Sequence, residues 1–262
     1  MRALSIAATG MAAQELQLEV VANNIANTNT TGFKRARAEF TDLMYQVERA
    51  RGVGTVGQTG GAPEGVHLGL GVRIAAIRQV HIQGVLQDTG NRLDVALDGP
   101  GWFQIEAASG ETLYTRAGAF NTNANGEIVT IDGLKLTDGL TVPPNVTDLT
   151  IGDDGRVSVA VPGQRQRQDL GNITLANFIN PVGLEPVGNN LFRVSETSGE
   201  PVAGAPGDGG FGRLRQGYLE ASNVDAVKEI TEMIAAQRAY EMNSKVIQAA
   251  DEMASTVSKG IR

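Results

Sequence analysis

The sequence predicts an α+β fold in which long N- and C-terminal helices, packing as a coiled-coil-like layer, flank a mainly antiparallel β middle domain. Residues 2–27 contain no proline and one glycine, and residues 222–259 contain neither. Between these ends, alternating apolar residues and closely spaced turn signals are typical of short strands. Glycine supplies 33 of 262 residues, well above the roughly 7% average, which favours turn-rich β structure in the middle.

The N-terminal helix carries an apolar stripe. Large apolar residues recur every seven positions, with one more beside them: Leu4, Met11, Leu18, Ile25 and Val21. This spacing places them on one side of a helix, as in a helix-packing seam. The run from Asn27 to Gly32 ends the helix, because Asn and Gly tolerate left-handed backbone. Residues 1–32 are therefore predicted to form a helix and turn.

The middle of the chain divides into three predicted parts. Residues 33–82 form an extended or β connector that includes a Gly- and Thr-rich insert at about 46–67. Residues 83–203 form the β domain, in which apolar residues alternate on both sides of the turn at Gly99-Pro100-Gly101. Residues 204–221 form a return connector rich in glycine.

The C-terminal segment, residues 222–262, is predicted as one long helix. Ser222 and Asp225 fit a capping box with Ser222 as N-cap. Two seven-residue series supply its packing positions: Met233, Tyr240 and Ile247 in the first, and Asn243 and Val257 in the second. No helical pattern lies nearby to cover either terminal helix, which suggests partners in other chains. Packing of the two helices as the core of one domain explains the same pattern equally well.

The composition excludes several kinds of site. The chain has no cysteine and two histidines, His67 and His81, so thiolate sites and a three-His zinc site cannot be built. Asp153 and Asp154 precede a glycine and are interpreted as a solvated turn rather than a calcium site. No catalytic constellation is present, so we expect no catalytic residue, cofactor or metal site.

Charge and targeting patterns exclude other partners. The net charge of −7 disfavours nucleic acid, and the basic cluster Lys34, Arg35 and Arg37 is interpreted as a solvated or intersubunit face. No segment approaches the roughly 20 apolar residues that a membrane-spanning helix needs. No secretory h-region is present. We therefore expect neither membrane insertion nor a cleaved signal peptide.

Two long segments resemble the bacterial flagellar rod and hook proteins. The segment from Ala22 to Lys34, ANNIANTNTTGFK, is similar to the N-terminal signature of that family, and QRAYEMNSKVIQ, from Gln237 to Gln248, to the C-terminal one. The middle runs LDVALDGPGWFQIE and YTRAGAF resemble the β domain of the family. The matching motif residues are Asn23, Asn24, Asn27, Asn29, Gly32 and Phe33.

This resemblance implies a structural subunit, not an enzyme. The length of the chain and its insert at 46–67 resemble those of the family members that build the distal rod. The distal rod is a straight and rigid helical drive shaft that transmits torque from motor to hook. The implied partners are further copies of the chain, proximal rod proteins, the hook protein, the peptidoglycan-layer and outer-membrane ring proteins, and the flagellar type III export apparatus. The implied location is the basal body, from periplasm to outer membrane, after export without signal cleavage.

Other interpretations remain open at this point. A hook or proximal rod subunit is the alternative within the same family. A secreted β adhesin or glycan-binding module is the alternative from another class, with helices that serve only to oligomerise. A peptidoglycan hydrolase is a third, although it needs an acid pair placed in a cleft, and the sequence shows none.

Overall fold

The computed structural model describes residues 2–49, 64–163 and 166–260. It has the predicted α+β composition, with one helix at each end and a mainly antiparallel β middle. The chain divides into two compact units. Unit 1 comprises Met1–Ile25, Ala36–Arg78 and Asp225–Arg262, and unit 2 comprises Ala26–Arg35 and Gln79–Val224.

Unit 1 contains both helices and the first four strands. These elements are α1 (Arg2–Ala26), β1 (Ala36–Asp42), β2 (Tyr45–Arg49), β3 (Val66–Gly69), β4 (Val72–Gln79) and α2 (Ala226–Gly260). Strand β1 pairs with β4, and β2 pairs antiparallel with β3. Most of the predicted insert, residues 50–63, lies outside the described residues.

The start of α2 differs from the predicted cap. Asp225 is the N-cap, because its Oδ1 accepts hydrogen bonds from the backbone N–H groups of Val227 and Lys228 at 3.0 and 3.3 Å. The predicted N-cap, Ser222, is wrong: its hydroxyl accepts from Val224 N–H at 3.4 Å, before the helix begins. A carboxylate suits this position, since it also interacts favourably with the positive end of the helix dipole.

Unit 2 contains the remaining strands. They are β5 (Leu86–Asp88), β6 (Val95–Asp98), β7 (Trp102–Glu106), β8 (Thr112–Thr115), β9 (Phe120–Thr122), β10 (Ile128–Thr130), β11 (Lys135–Leu136), β12 (Asp148–Ile151), β13 (Arg156–Ala160), β14 (Gln168–Asn172), β15 (Leu175–Asn177), β16 (Glu185–Gly188), β17 (Leu191–Arg193), β18 (Val202–Gly204), β19 (Arg213–Gln216) and β20 (Tyr218–Glu220). A short 3₁₀ helix covers Pro181–Gly183.

Antiparallel pairing organises unit 2. The largest sheet runs β16-β17-β8-β7-β11-β10-β9, with β15 joining β7 to β18. Strands β12, β13 and β14 form a second sheet, while β19 pairs with β6 and β20 with β5. The residues 204–221 therefore contribute two paired strands. The two sheets and β6 enclose an apolar core that includes Val95, Leu97, Phe103 and Val157.

The turn between β6 and β7 depends on glycine. Gly99 and Gly101 have φ values of 115° and 137°, in the region that L side chains rarely adopt. A Cβ on Gly99 would lie 2.8 Å from the Cα of Gly212. This close approach allows Gly212 N–H to bond the Pro100 carbonyl at 2.6 Å, and it places Trp102 at the start of β7.

Candidate assembly surfaces

Small residues let the two helices of unit 1 approach closely. A Cβ on Gly10 would lie 2.9 Å from Nδ2 of Asn243, and Ala7, Ala13 and Ala236 are buried. Near the other end of α1, Asn24 contacts Glu229. The residue nearer the C-terminus of α1, Asn24, contacts the residue nearer the N-terminus of α2, Glu229. The two helices therefore run antiparallel. Fourteen residues separate the two contacts on each helix, about 21 Å of helix axis.

Asn24, from the N-terminal motif, fixes the end of α1. Its Nδ2 donates to the Ala36 carbonyl at 2.8 Å and to Glu229 Oε2 at 3.0 Å. Its Oδ1 accepts from Ala36 N–H at 2.9 Å. Asn24 and Glu229 are both fully buried. An amide can donate and accept at once, so one side chain joins α1, β1 and α2.

The predicted packing residues of α1 lie beside the face that is buried within the chain. Val21 is buried. The other four positions are half-buried: Leu4, Met11, Leu18 and Ile25. In a helix of 3.6 residues per turn, this stripe lies about 100° around the axis of α1 from the buried face that carries Ala7, Ala13 and Asn24. These side chains therefore retain apolar surface outside the contact with α2.

The predicted packing residues of α2 lie on or near its buried face. Met233, Asn243 and Ile247 are half-buried, on the side of the helix that carries Glu229 and Ala236. Tyr240 lies on the same side and is 40% exposed. Val257 lies within α2, but its side chain is outside the described part of the chain.

A second apolar face on α2 was not predicted from the sequence. Val227, Ile230 and Ile234 are 75%, 45% and 44% exposed, at i, i+3 and i+7 on the side opposite Ala236. Met242, Val246 and Met253 are exposed farther along the helix. The sequence signal for this face is the spacing of three and four residues between Val227, Ile230 and Ile234, which the seven-residue series does not include. The first turns of α2 therefore have apolar residues on two sides.

The rest of the N-terminal motif lies at the turn after α1. Gly32 has a φ of +71°, and a Cβ there would lie 2.7 Å from Ala117 N. Its N–H donates to the Glu220 carbonyl at 2.8 Å. Asn27 Oδ1 accepts from Thr30 Oγ1 at 3.1 Å. Phe33 is half-buried, whereas Asn23 and Asn29 are exposed.

A buried ion cluster follows this turn in unit 2. Lys34 Nζ contacts Glu220 Oε1 at 2.5 Å and donates to the Ile82 carbonyl at 2.9 Å. Arg116 Nη1 lies 3.6 Å from Glu220 Oε2. Burial lowers the pKa values of Lys34 and Arg116, and the Glu220 carboxylate opposes that shift. The prediction of a solvated or intersubunit position is wrong for Lys34, because its partner Glu220 is distant in sequence.

His81 lies between this cluster and an aromatic group. Its ring makes edge-on contacts with Trp102 and Phe192, at centroid distances of 5.3 and 5.8 Å. Burial, and then the positive charges of Lys34 and Arg116, lower the pKa of His81 to about 4. The imidazole is therefore neutral at pH 7.

The described part of the chain contains no group of three or more His, Cys, Asp or Glu side chains that could hold a metal ion. None of its helices combines the length and apolar character needed to cross a membrane.

Three family models match the chain. The model for flagella basal body rod proteins matches residues 4–34. The D1 domain of the flagellar hook protein FlgE/F/G matches residues 96–159. The C-terminal region of the flagellar basal body rod FlgEFG proteins matches residues 215–259. The first and third matches cover the two segments that carried the resemblance.

Full-length relatives show the same similarity. The flagellar basal-body rod protein FlgG of Agrobacterium fabrum is 58% identical over 262 residues, all of both chains. FlgG of Caulobacter vibrioides is 53% identical over 99% of each chain. FlgF of the same organism is 36% identical over 90% of this chain and 88% of its own. Of these two Caulobacter vibrioides proteins, FlgG is thus more similar to this chain than FlgF is.

Proposed function

Since this chain belongs to the flagellar basal-body rod protein family, we propose that it builds the distal rod by self-assembly. It is a structural subunit of the rod. The proposed product is a straight, rigid helical shaft that transmits torque from motor to hook. Identity to FlgG over the full length supports this assignment over a hook or FlgF-like subunit.

The two apolar faces of α2 carry the proposal. One face, with Glu229 and Ala236, is buried within the chain. The opposite face exposes Val227, Ile230 and Ile234, which favours a second helix as its cover. Identical copies joined through different surfaces, without ring closure, generate a helical filament. This geometry supports the proposal that α1 and α2 of neighbouring copies pack as a coiled-coil-like layer.

The predicted packing residues have a role in this proposal. Leu4, Met11, Leu18 and Ile25 keep apolar surface beside the contact between α1 and α2. We propose that they contact a neighbouring copy, together with Tyr240 and Ile247. The inner helical layer would then comprise residues 1–32 and 222–262, with residues 33–82 and 204–221 as connectors and 83–203 as the β domain.

Other components belong to the same proposal. The subunit would contact proximal rod proteins at one end of the shaft and hook protein at the other. Ring proteins of the peptidoglycan layer and outer membrane would surround it. We propose that the subunit is located in the flagellar basal body, which spans from periplasm to outer membrane, and that the flagellar type III apparatus exports it without signal cleavage. We propose no catalytic role for it.

Electron microscopy of the purified full-length chain tests the proposal. We expect straight tubes in negative stain after the protein is concentrated, with seeding by proximal rod protein if nucleation limits growth. Leu18→Asp and Ile247→Asp should each abolish tubes, while Gln248→Asp, on an exposed position of α2, should retain them. Supercoiled tubes would favour a hook subunit. Discrete particles under all seeded conditions would contradict self-assembly.

A further inference from the structure

Unit 2 contains a pocket that the proposed assembly role does not use. Its volume is 310 Å³, and its lining includes His81, Gln83, Trp102, Arg116 and Asn177. This volume lies at the lower end of the range for small-molecule sites. The indole of Trp102 forms an apolar side, and the guanidinium of Arg116 lies 5.4 Å from its ring centroid.

Two polar atoms at this pocket are buried without partners among the described residues. They are Nε of Arg116 and Nδ1 of His81. Arg116 is 7% exposed. A buried donor without a hydrogen bond costs about 1–3 kcal/mol, so native structures rarely leave one unsatisfied. Arg116 Nε always carries a proton, and His81 Nδ1 carries one in one of the two tautomers of the neutral ring. A ligand that accepts from Arg116 Nε, and from His81 Nδ1 in that tautomer, would remove this cost.

The other amides of the pocket are already bonded. Gln83 Nε2 donates to the Leu97 carbonyl at 3.2 Å, and its Oε1 accepts from Gly99 N–H at 2.9 Å. Asn177 Nδ2 donates to the Gly210 carbonyl at 3.0 Å. Arg116 and His81 therefore supply the unused hydrogen-bonding capacity that these lining side chains offer.

Charge selects the kind of ligand. Lys34 and Arg116 share the one carboxylate of Glu220, which leaves one surplus positive charge. Asp98 lies beside Gln83 but pairs with Arg215 at 3.0 Å. A monovalent anion would balance the surplus, whereas a dianionic phosphate would overcompensate it. Planar oxygen acceptors also match the guanidinium geometry.

We propose that the pocket formed by Arg116, His81 and Trp102 binds a single carboxylate group. Two sources offer this chemistry: a small free carboxylate, or an Asp or Glu side chain of a neighbouring copy. The second source rests on the proposed assembly. In either case one carboxylate oxygen accepts from Arg116 Nε, and the rest of the ligand lies against the indole.

Acetate titration of the full-length, unassembled protein tests the site. Trp102 is the only tryptophan in the chain, so its fluorescence and its indole N–H resonance report on this pocket. At constant ionic strength we expect sodium acetate to cause a saturable change in both signals, and sodium chloride to cause none. A linear response, or equal responses to both salts, would overturn the proposal.

Variants identify the groups that bind. Arg116→Lys keeps a cation beside Glu220 but removes Nε, and should weaken acetate at least about tenfold. Arg156→Lys, at an exposed ion pair in the same unit, should leave the affinity unchanged. His81→Phe keeps a ring beside Trp102, removes Nδ1, and should weaken acetate several-fold. If Arg116→Lys does not fold, the acetate affinity of His81→Phe still tests the site. Unchanged affinity in folded Arg116→Lys and His81→Phe proteins would contradict the site.

Assembly measurements distinguish the two sources. If the carboxylate belongs to a neighbouring copy, acetate at saturating concentration should raise the protein concentration needed for tube formation, and Arg116→Lys should do the same. If the source is a free carboxylate, acetate should bind while assembly is unaffected. Because binding is measured on unassembled protein, a failure of assembly does not affect the test of the site.

Discussion

At the scale of single residues, unit 2 buries more charge than its sequence pattern indicates. Lys34 and Glu220 have side-chain exposures of 1% and 0%, although both belong to residue types that are seldom fully buried. Removing charges from water is costly unless each is paired and hydrogen-bonded. Oε1 of Glu220 meets this condition through Lys34 and the N–H of Gly84. Oε2 of Glu220 pairs with Arg116 at 3.6 Å, without a hydrogen bond to the described residues.

Removing the Glu220 charge should therefore destabilise unit 2. In Glu220→Gln the amide keeps the shape, but Lys34 and Arg116 lose their counterion, at an expected cost of about 3–5 kcal/mol in the free energy of unfolding. Urea denaturation followed by Trp102 fluorescence measures it. Glu111→Gln is the matched control: it breaks an ion pair with Arg193 whose side chains are both more than 40% exposed, and should cost less than about 1 kcal/mol. Equal losses in both variants would contradict the role of Glu220.

His81 should make unit 2 less stable at acidic pH. Its folded pKa is about 4, below the ordinary value near 6.5, so the unfolded chain binds the proton first as pH falls. The free energy of unfolding should therefore decrease by roughly 3 kcal/mol between pH 6.5 and 4. Urea denaturation of wild type and His81→Phe across this window checks it. The two stabilities should converge as pH falls, and a constant difference would exclude His81 as the cause.

At the scale of elements, periodicity predicted a helix at each end of the chain. The structure has these helices at Arg2–Ala26 and Ala226–Gly260, in segments where Pro and Gly are nearly absent. The side of α1 that faces α2 was not predictable from large apolar residues. Close approach of two helices selects small and polar groups, such as Gly10 and Asn24, and these leave only a weak signal in a single sequence.

Asn24 offers a direct test of the helix pair in unit 1. In Asn24→Asp a carboxylate replaces the donor to Glu229 and to the Ala36 carbonyl, so like charges meet in a buried site. We expect a loss of several kcal/mol in helix stability, measured as faster hydrogen exchange along α1. Ala22→Asp adds the same charge at an exposed position two residues earlier on α1 and should change exchange little. Similar exchange rates in both variants would contradict the conclusion that the hydrogen bonds of Asn24 hold α1 against β1 and α2.

At the scale of the whole molecule, the candidate surfaces were only partly predictable. The two end motifs were sufficient to indicate the family. The ion cluster could not be predicted from the sequence, since Lys34 and Glu220 are 186 residues apart and only folding brings them together. The exposed face of Val227, Ile230 and Ile234 also became recognisable once the opposite side of α2 was known to be buried.

This exposed face should be needed for assembly but not for folding of the subunit. Ile234 is 44% exposed, so Ile234→Asp should leave the subunit folded, with unchanged circular dichroism, while preventing tubes. Ile179→Asp replaces a more exposed apolar residue in unit 2 and should still form tubes. Normal tubes from Ile234→Asp would exclude this face from the subunit contacts.

The terminal helices should gain much of their order from neighbouring copies. The far half of α2 exposes Met242, Val246 and Met253, and an isolated helix with little apolar burial is marginal in water. We therefore expect fast hydrogen exchange over residues 233–257 in unassembled protein and strong protection in tubes, while unit 2 is protected in both. Subunit contacts would offset the entropy lost when the helices become ordered. Strong protection of this segment in the unassembled chain would show instead that the contacts of unit 1 hold α2 in place without neighbours.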